Sequence, residues 1–147
     1  MPTVKVTAYD DCPSEESALL DNGLGQFNDS AAPIQEVQSF SCFAKAESGQ
    51  LIGGAVGRRW GQCCELQQLW VETSYRRHGI GADIVRAFEA HASKHGCNLI
   101  YLETFSFQAP EFYKAMGYKV EHERSGFPHN IVKYQMAKHI NNQETAA

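Results

Sequence analysis

The chain has 147 residues, of which 43% are hydrophobic and 20% charged, and its formal net charge at pH 7 is −4. These values predict one globular domain with its own core and disfavour a nucleic-acid backbone as the main partner. No apolar run approaches the roughly 20 residues that cross a bilayer, and no apolar signal region follows Met1, so a cytoplasmic protein without a membrane partner is expected. Five cysteines without a C-x-x-C pair indicate reduced thiols.

Seven strands are predicted from apolar runs, alternating or continuous, that are bounded by turn residues. In chain order they are residues 3–9, 37–46, 51–59, 64–71, 99–104, 118–123 and 131–137. Because residues 99–104 are almost continuously apolar, that strand is expected near the centre of a sheet.

Helices are predicted between these strands. Ser14, followed by two glutamates, marks a helix start that should end near Gly23. Residues 24–33 are either loop or a short second helix. Residues 82–95 form an amphipathic pattern, and residues 109–116 a short helix. The order predicts a mixed α/β (α+β) fold with one mixed, mostly antiparallel sheet, in which the helix over 82–95 connects a central parallel pair.

The turn before that helix, residues 76–81 (RRHGIG), carries two arginines and two glycines. A helix N-terminus offers unpaired backbone N–H groups and the positive end of the helix dipole, and glycines let a ligand approach the backbone. The segment therefore predicts a phosphate-binding turn. The dinucleotide fingerprint is not met, because its third glycine position holds Ile84.

Two motifs together resemble the GNAT superfamily of N-acetyltransferases. They are Arg76-x-x-Gly79-x-Gly81 and Ala109-x-x-Phe112-Tyr113-x-x-x-Gly117-Tyr118. The element order agrees along nearly the whole chain. The resemblance implies a GNAT-like acyl-CoA N-acyltransferase fold, with a single domain over residues 1–140 and a frayed tail over 141–147.

The resemblance also implies a set of cofactor-binding residues. The backbone edge of the strand before the turn, at Leu69, Trp70 and Val71, is expected to bind the pantetheine arm of acetyl-CoA. Backbone N–H groups in the turn are expected to hold the pyrophosphate; this set is Arg76, Arg77, His78, Gly79, Ile80, Gly81 and Ala82. Ser106 stands where the family often has asparagine, and one side-chain contact to the cofactor is expected from it.

The catalytic residues implied by the resemblance are Tyr113 and Glu65. Tyr113 is expected to act as general acid toward the coenzyme A thiolate, since charge builds on sulfur as the intermediate collapses. An alkylammonium acceptor must lose a proton before it attacks, and Glu65 is the first candidate base. Glu72, Glu103 and a chain of water molecules are the alternatives.

The implied function is N-acetylation of a small-molecule amine or a peptide, with acetyl-CoA as cosubstrate. No metal is expected: His91 and His95 share a helix face, but a third ligand is not evident. Two other functions remain open, namely a noncatalytic acyl-CoA sensor and a toxin that acetylates aminoacyl-tRNA. The acidic composition disfavours the toxin. A homodimer is compatible with all three.

Overall fold

The computed structural model describes residues 2–140, and the tail predicted over 141–147 lies outside them. The chain divides into two units between Glu36 and Val37. The first unit contains helix α1, and the second contains a six-stranded sheet. A single domain over residues 1–140 stays a prediction. None of the helices within 2–140 is long and apolar enough to span a membrane.

The first unit differs from the sequence prediction in two places. Residues 3–9 form no strand within the described chain, because an alternating pattern becomes a strand only where a second strand takes its backbone hydrogen bonds. Helix α1 spans Ser14–Ala31 with Pro13 at its N-cap position, so Ser14 is not the cap. The helix continues through Gly23 and Gly25, although each internal glycine costs about 1 kcal/mol.

The sheet of the second unit has the spatial order β1-β2-β3-β4-β6-β5. Its strands are β1 Gln38–Lys45, β2 Leu51–Trp60, β3 Cys63–Val71, β4 Leu99–Phe105, β5 Lys119–Arg124 and β6 Lys133–His139. Its helices are α2 Ile80–Lys94 and α3 Pro110–Ala115. Strands β3 and β4 are parallel and all other neighbours are antiparallel, which confirms the predicted mixed sheet.

Helix α2 packs on β1, β2 and β3 through the side chains that helical spacing predicts. Ile84, Val85 and Phe88 are buried, and the Phe88 ring stacks on Phe40 at 4.4 Å between centroids. Gly57 makes the close packing possible, because a Cβ there would lie 2.6 Å from Phe88 Cζ. The helix is therefore fixed on the sheet, and its N-terminus lies near the end of β3.

Strands β3 and β4 pair only at their beginnings. The paired positions run from Cys63 with Leu99 to Glu65 with Tyr101, and pairing ends there. On its other edge β3 stays paired with β2 as far as Val71, with a β-bulge that leaves one extra residue on β3, between Leu66 and Gln68. A bulge bends its strand and increases the local twist. The C-terminal part of β3 therefore has an open backbone edge toward β4.

Candidate active site

The end of β3, the turn before α2 and the first residues of α3 enclose a cavity of about 460 Å³, called here the loop cavity. Its lining residues are Leu69, Trp70, Val71, Tyr75, Arg76, Arg77, Gly79, Gly81, Ala82, Ala109 and Phe112. The lining combines backbone, small residues and apolar side chains with two arginines. This combination suits a long, partly apolar ligand with an anionic end.

The turn at the loop cavity has the backbone conformation of an anion-binding turn. Arg77 and Gly79 both have positive φ, at 67° and 81°, and Gly79 is the N-cap residue of α2. The carbonyl of Gly79 accepts the first α-helical hydrogen bond, from Asp83 N at 3.0 Å. The N–H groups of the first helical turn have no intrahelical acceptor and are available to a ligand.

Arg76 and Glu72 fix the path of the chain between β3 and this turn. The Nε of Arg76 donates a hydrogen bond to Val71 O at 2.8 Å. The Glu72 carboxylate accepts hydrogen bonds from the hydroxyl and the backbone N–H of Ser74, and these bonds lower the pKa of Glu72. Glu72 is thus the cap of the short helix Thr73–Tyr75, and a carboxylate with a lowered pKa is a weak base.

A second cavity, of about 260 Å³, lies where β3 and β4 separate, and is called here the strand cleft. Its lining residues are Leu66, Gln67, Gln68, Leu69, Glu103, Thr104, Gln108, Ala109 and Tyr113. Leu69 and Ala109 also line the loop cavity, so the two spaces meet at these residues. The two cavities are therefore adjacent in the fold.

Tyr113 lies on the wall of the strand cleft rather than of the loop cavity. Its side chain is buried on α3, and burial raises its pKa to about 12. The ring makes edge contacts with Phe112 and Tyr118, at centroid distances of 5.2 and 5.7 Å. The hydroxyl is therefore un-ionised at neutral pH, and two aromatic neighbours hold its ring.

Tyr118 is held in turn by a partly buried ion pair. Its hydroxyl donates to Glu89 Oε2 at 2.9 Å, and Lys138 Nζ lies 3.0 Å from Glu89 Oε1. Burial raises the pKa of Tyr118, and the Glu89 carboxylate raises it further. Because the charge on Glu89 is paired with Lys138 and hydrogen-bonded to Tyr118, the network is satisfied. Through the contact between the Tyr118 and Tyr113 rings, this network supports the wall of the strand cleft at Tyr113.

Thr104 and Gln108 are polar residues in the lining of the strand cleft. The side-chain Oε1 of Gln108 accepts from Phe105 N at 2.7 Å, and the Thr104 hydroxyl lies 3.5 Å from it. The Ala109 N–H in turn donates to Thr104 Oγ1 at 3.5 Å. These bonds fix the connection from β4 to α3, and thereby the position of Tyr113.

Glu65 and Glu103 lie at different places relative to the strand cleft. Glu65 is the last residue of β3 that pairs with β4, just before these two strands separate. Its Oε1 accepts a hydrogen bond from Arg58 Nε at 2.9 Å. It is not among the cleft-lining residues, whereas Glu103 is. Glu103 is paired with Lys133 at 3.1 Å.

Most of the predicted cofactor residues meet at the loop cavity, but three do not line it. His78 is exposed, and Ile80 packs against the core. Ser106 accepts a hydrogen bond from Val132 N at 3.0 Å, so its hydroxyl secures the start of β6. A cofactor contact by Ser106 stays a prediction. Tyr75 lines the cavity and was not predicted, because nothing in its local sequence marks it.

The cleft residues other than Leu69, Glu103 and Tyr113 were also not predicted as site residues. Gln67 and Gln68 are adjacent on β3, and both line the cleft because of the bulge. Simple strand alternation would have placed only one of them there. Thr104 and Gln108 carried no sequence signal beyond their position after an apolar strand.

Comparison with known proteins gives matches of sequence and of structure. A family model described as the Acetyltransferase (GNAT) family matches residues 8–118. Blasticidin-S acetyltransferase of Streptomyces morookaense is 32% identical over 111 residues, which are 75% of this chain and 79% of that protein. The crystal structure of an acetyltransferase from Bacillus cereus has a TM-score of 0.75 and 29% identity, covering 91% of this chain and 98% of that one.

A further similarity is to a protein of Bacillus anthracis that was crystallised in complex with acetyl coenzyme A. Its TM-score is 0.62 at 21% identity, and the match covers 70% of this chain and 63% of that one. At this level of identity the likeness concerns the fold alone.

Proposed function

The chain belongs to the GNAT family of acetyltransferases, and from that premise we propose that it transfers an acetyl group from acetyl-CoA directly to a primary amine of a small molecule or peptide. The observation that carries this proposal is the meeting of the loop cavity and the strand cleft at Leu69 and Ala109. One space fits a cofactor with an anionic end, and the other is a polar cleft with a tyrosine on its wall.

In the proposed complex, the pyrophosphate binds the backbone N–H groups of residues 76–82, at the positive end of α2. The pantetheine arm follows the open edge of β3 near Leu69 and forms strand-like hydrogen bonds with it. The thioester then lies where the two cavities meet. This route leaves the cleft between β3 and β4 for the amine, which attacks the thioester carbon.

The attack gives a tetrahedral intermediate, and its collapse breaks the carbon–sulfur bond and leaves charge on sulfur. Tyr113 is the proposed proton donor to that sulfur. A phenol of pKa about 12 is a weaker acid than a thiol of pKa about 8.5, so complete transfer costs about 5 kcal/mol at equilibrium. Burial of the coenzyme A sulfur raises the pKa of its thiol as well, which reduces the difference between the two pKa values.

Tyr113 is therefore proposed to act first as a hydrogen-bond donor to the developing thiolate. Tyr113 then gives its proton to the sulfur, and the phenol oxygen receives a replacement proton from the nitrogen that attacked the thioester. The proton that leaves the acceptor ammonium beforehand goes to the general base, for which Glu65 is the proposal; because Glu65 does not line the strand cleft, the proposed transfer runs through water. Because Glu65 Oε1 is bonded to Arg58, its Oε2 is the oxygen that remains for this step.

The direct test is release of coenzyme A from acetyl-CoA in the presence of candidate acceptors. The panel should contain polyamines, amino acids, aminoglycosides and peptide N-termini. Blasticidin S is added because the acetyltransferase named for it is 32% identical. Acetylated product identified by mass spectrometry supports the proposal. Binding of acetyl-CoA without transfer to any acceptor would contradict it and favour a noncatalytic sensor.

A further inference from the structure

Glu103 is the one acidic side chain among the residues that line the strand cleft in the described chain. It lies in the C-terminal half of β4, and its neighbours in the lining are uncharged residue types, including the amides of Gln67 and Gln68. The carboxylate side chain is 46% exposed. A neutral, polar cleft with a single carboxylate is selective for a ligand that carries a positive charge at the matching place.

The present partner of Glu103 is a lysine of the same chain. Lys133 Nζ lies 3.1 Å from Glu103 Oε2, and its own side chain is 33% exposed. Ion pairs this open to solvent contribute little to stability. The ammonium also lies 5.7 Å from the centre of the Phe105 ring. Lys133 can therefore leave the carboxylate at small cost and keep a favourable contact or hydration.

The cation that Glu103 fits is not the reacting nitrogen. Glu65 is the base proposed for the reacting nitrogen, and a carboxylate that only pairs with an ammonium, without taking its proton, stabilises the protonated form, which cannot attack the thioester. A second cation on the same molecule takes no part in the attack, so it can stay protonated and paired with Glu103 throughout the reaction. A guanidinium group suits the role because it stays protonated and can bind a carboxylate through two hydrogen bonds.

We propose that Glu103 determines acceptor specificity by binding a second cation of the acceptor, a guanidinium or distal ammonium, and that Lys133 occupies the carboxylate until the acceptor displaces it. This inference rests on the amine-acetylating function proposed above. It assigns the acceptor class as small molecules with one reacting amine and one non-reacting cation.

The test uses two series of acceptors that differ only in charge, ω-aminoalkylguanidines and ω-aminoalkylureas with three to six methylene groups. The kcat/KM of each is measured with saturating acetyl-CoA. The native enzyme should prefer the guanidine over the urea of the best length by at least about tenfold, mainly through KM. In Glu103→Gln the ratio should fall to within about twofold. In Lys133→Met the kcat/KM of the guanidine should rise.

Glu123→Gln is the matched control, because it removes the same charge from strand β5, which β6 separates from β4 and which lies outside the cleft lining. It should keep the native ratio. A preference that survives Glu103→Gln, or transfer to both series without preference in the native enzyme, overturns the role of Glu103 alone. If acetyl-CoA binds but neither series nor any other amine is acetylated, the proposed function fails together with this inference.

Discussion

The loop cavity and the strand cleft share two residues but are built by different means. The loop cavity is formed largely by one continuous stretch, from Leu69 to Ala82, and in the proposed complex the backbone N–H groups and glycines of this stretch bind the cofactor. The strand cleft is formed by side chains from β3, β4 and α3, which the fold brings together. Under the proposed function, binding in the first is a property of main-chain geometry, and selection in the second is a property of side chains.

This difference has a functional consequence. A surface made of backbone can keep one ligand while its side chains vary, which suits a cofactor common to a family. A surface made of side chains from three elements can change its ligand by single substitutions. We therefore expect substitutions in the cleft to change turnover or acceptor choice, and substitutions in the loop to change cofactor affinity.

The largest effect is expected for Tyr113→Phe, which keeps the ring and removes the hydroxyl. Loss of a positioned proton donor typically lowers the rate by about 10²–10⁴. Acetyl-CoA affinity should hold, because Tyr113 does not line the loop cavity. Single-turnover kinetics with a good acceptor is the measurement, since slow product release can hide a chemical step.

Tyr9→Phe is the control for that variant. It removes a hydroxyl from an exposed tyrosine outside the cleft lining and should leave single-turnover rates unchanged. Native single-turnover rates in Tyr113→Phe would show that water or another group protonates the thiolate. The distinction between the two cavities would then lose its main support.

Gly81→Val tests the loop cavity. A Cβ at Gly81 meets only ordinary contacts, at 3.6 Å from the Phe112 ring and 3.8 Å from Val71 Cγ2. The variant should therefore fold, while the two added methyl groups occupy space at the cavity wall. Calorimetry should show acetyl-CoA binding weakened by at least about tenfold, or roughly 1.4 kcal/mol.

The control is Gly23→Val in α1, where nothing lies within 4 Å of the added Cβ. It should bind acetyl-CoA as the native protein does. Unchanged affinity in a folded Gly81→Val protein would refute the assignment of the loop cavity to the cofactor.

The burial of Tyr113 also predicts an effect of pH on stability. Its pKa is raised from 10.0 to about 12 in the folded protein, so the folded state holds the proton more tightly than the unfolded state. The resulting stabilisation is complete below pH 10 and is lost as the pH rises through about 12. Between pH 8 and pH 11 the free energy of unfolding of the native protein should fall by about 1 kcal/mol more than that of Tyr113→Phe.

Urea unfolding of the two proteins at both pH values measures this difference, and all other titrating groups cancel in the comparison. A difference of zero would mean that water reaches the hydroxyl in solution. Tyr113 would then be a surface group of the cleft rather than a buried one.

Sequence reasoning predicted the parts of this molecule that depend on neighbours along the chain. The turn at Gly79, helix α2 and the parallel pair of β3 with β4 follow from local patterns and one crossover connection. Residues 3–9 were predicted wrongly, because a strand needs a partner that alternation does not supply. Gln67 was missed as a cleft residue, because a bulge depends on the register between two strands, and no local pattern encodes that register.

The smallest effect is expected for Arg76→Met, which keeps most of the side-chain stem and removes the guanidinium. Two roles are open to this group: it bonds Val71 O at 2.8 Å, and it borders the loop cavity. Loss of one hydrogen bond of about 1 kcal/mol predicts an acetyl-CoA affinity lowered by roughly fivefold. Arg86→Met is the control, because Arg86 pairs with exposed Asp83 on α2 and does not line the loop cavity.

Salt separates the two roles of Arg76. If the guanidinium attracts the phosphates of the cofactor, the loss of affinity should shrink between about 50 and 500 mM salt, since exposed charges are screened over a shorter distance at the higher concentration. If it acts by fixing the end of β3 through Val71 O, the loss should be independent of salt. A loss equal to that of Arg86→Met at both concentrations would leave cofactor binding to the backbone alone, which is the sharpest form of the contrast between the loop cavity and the strand cleft.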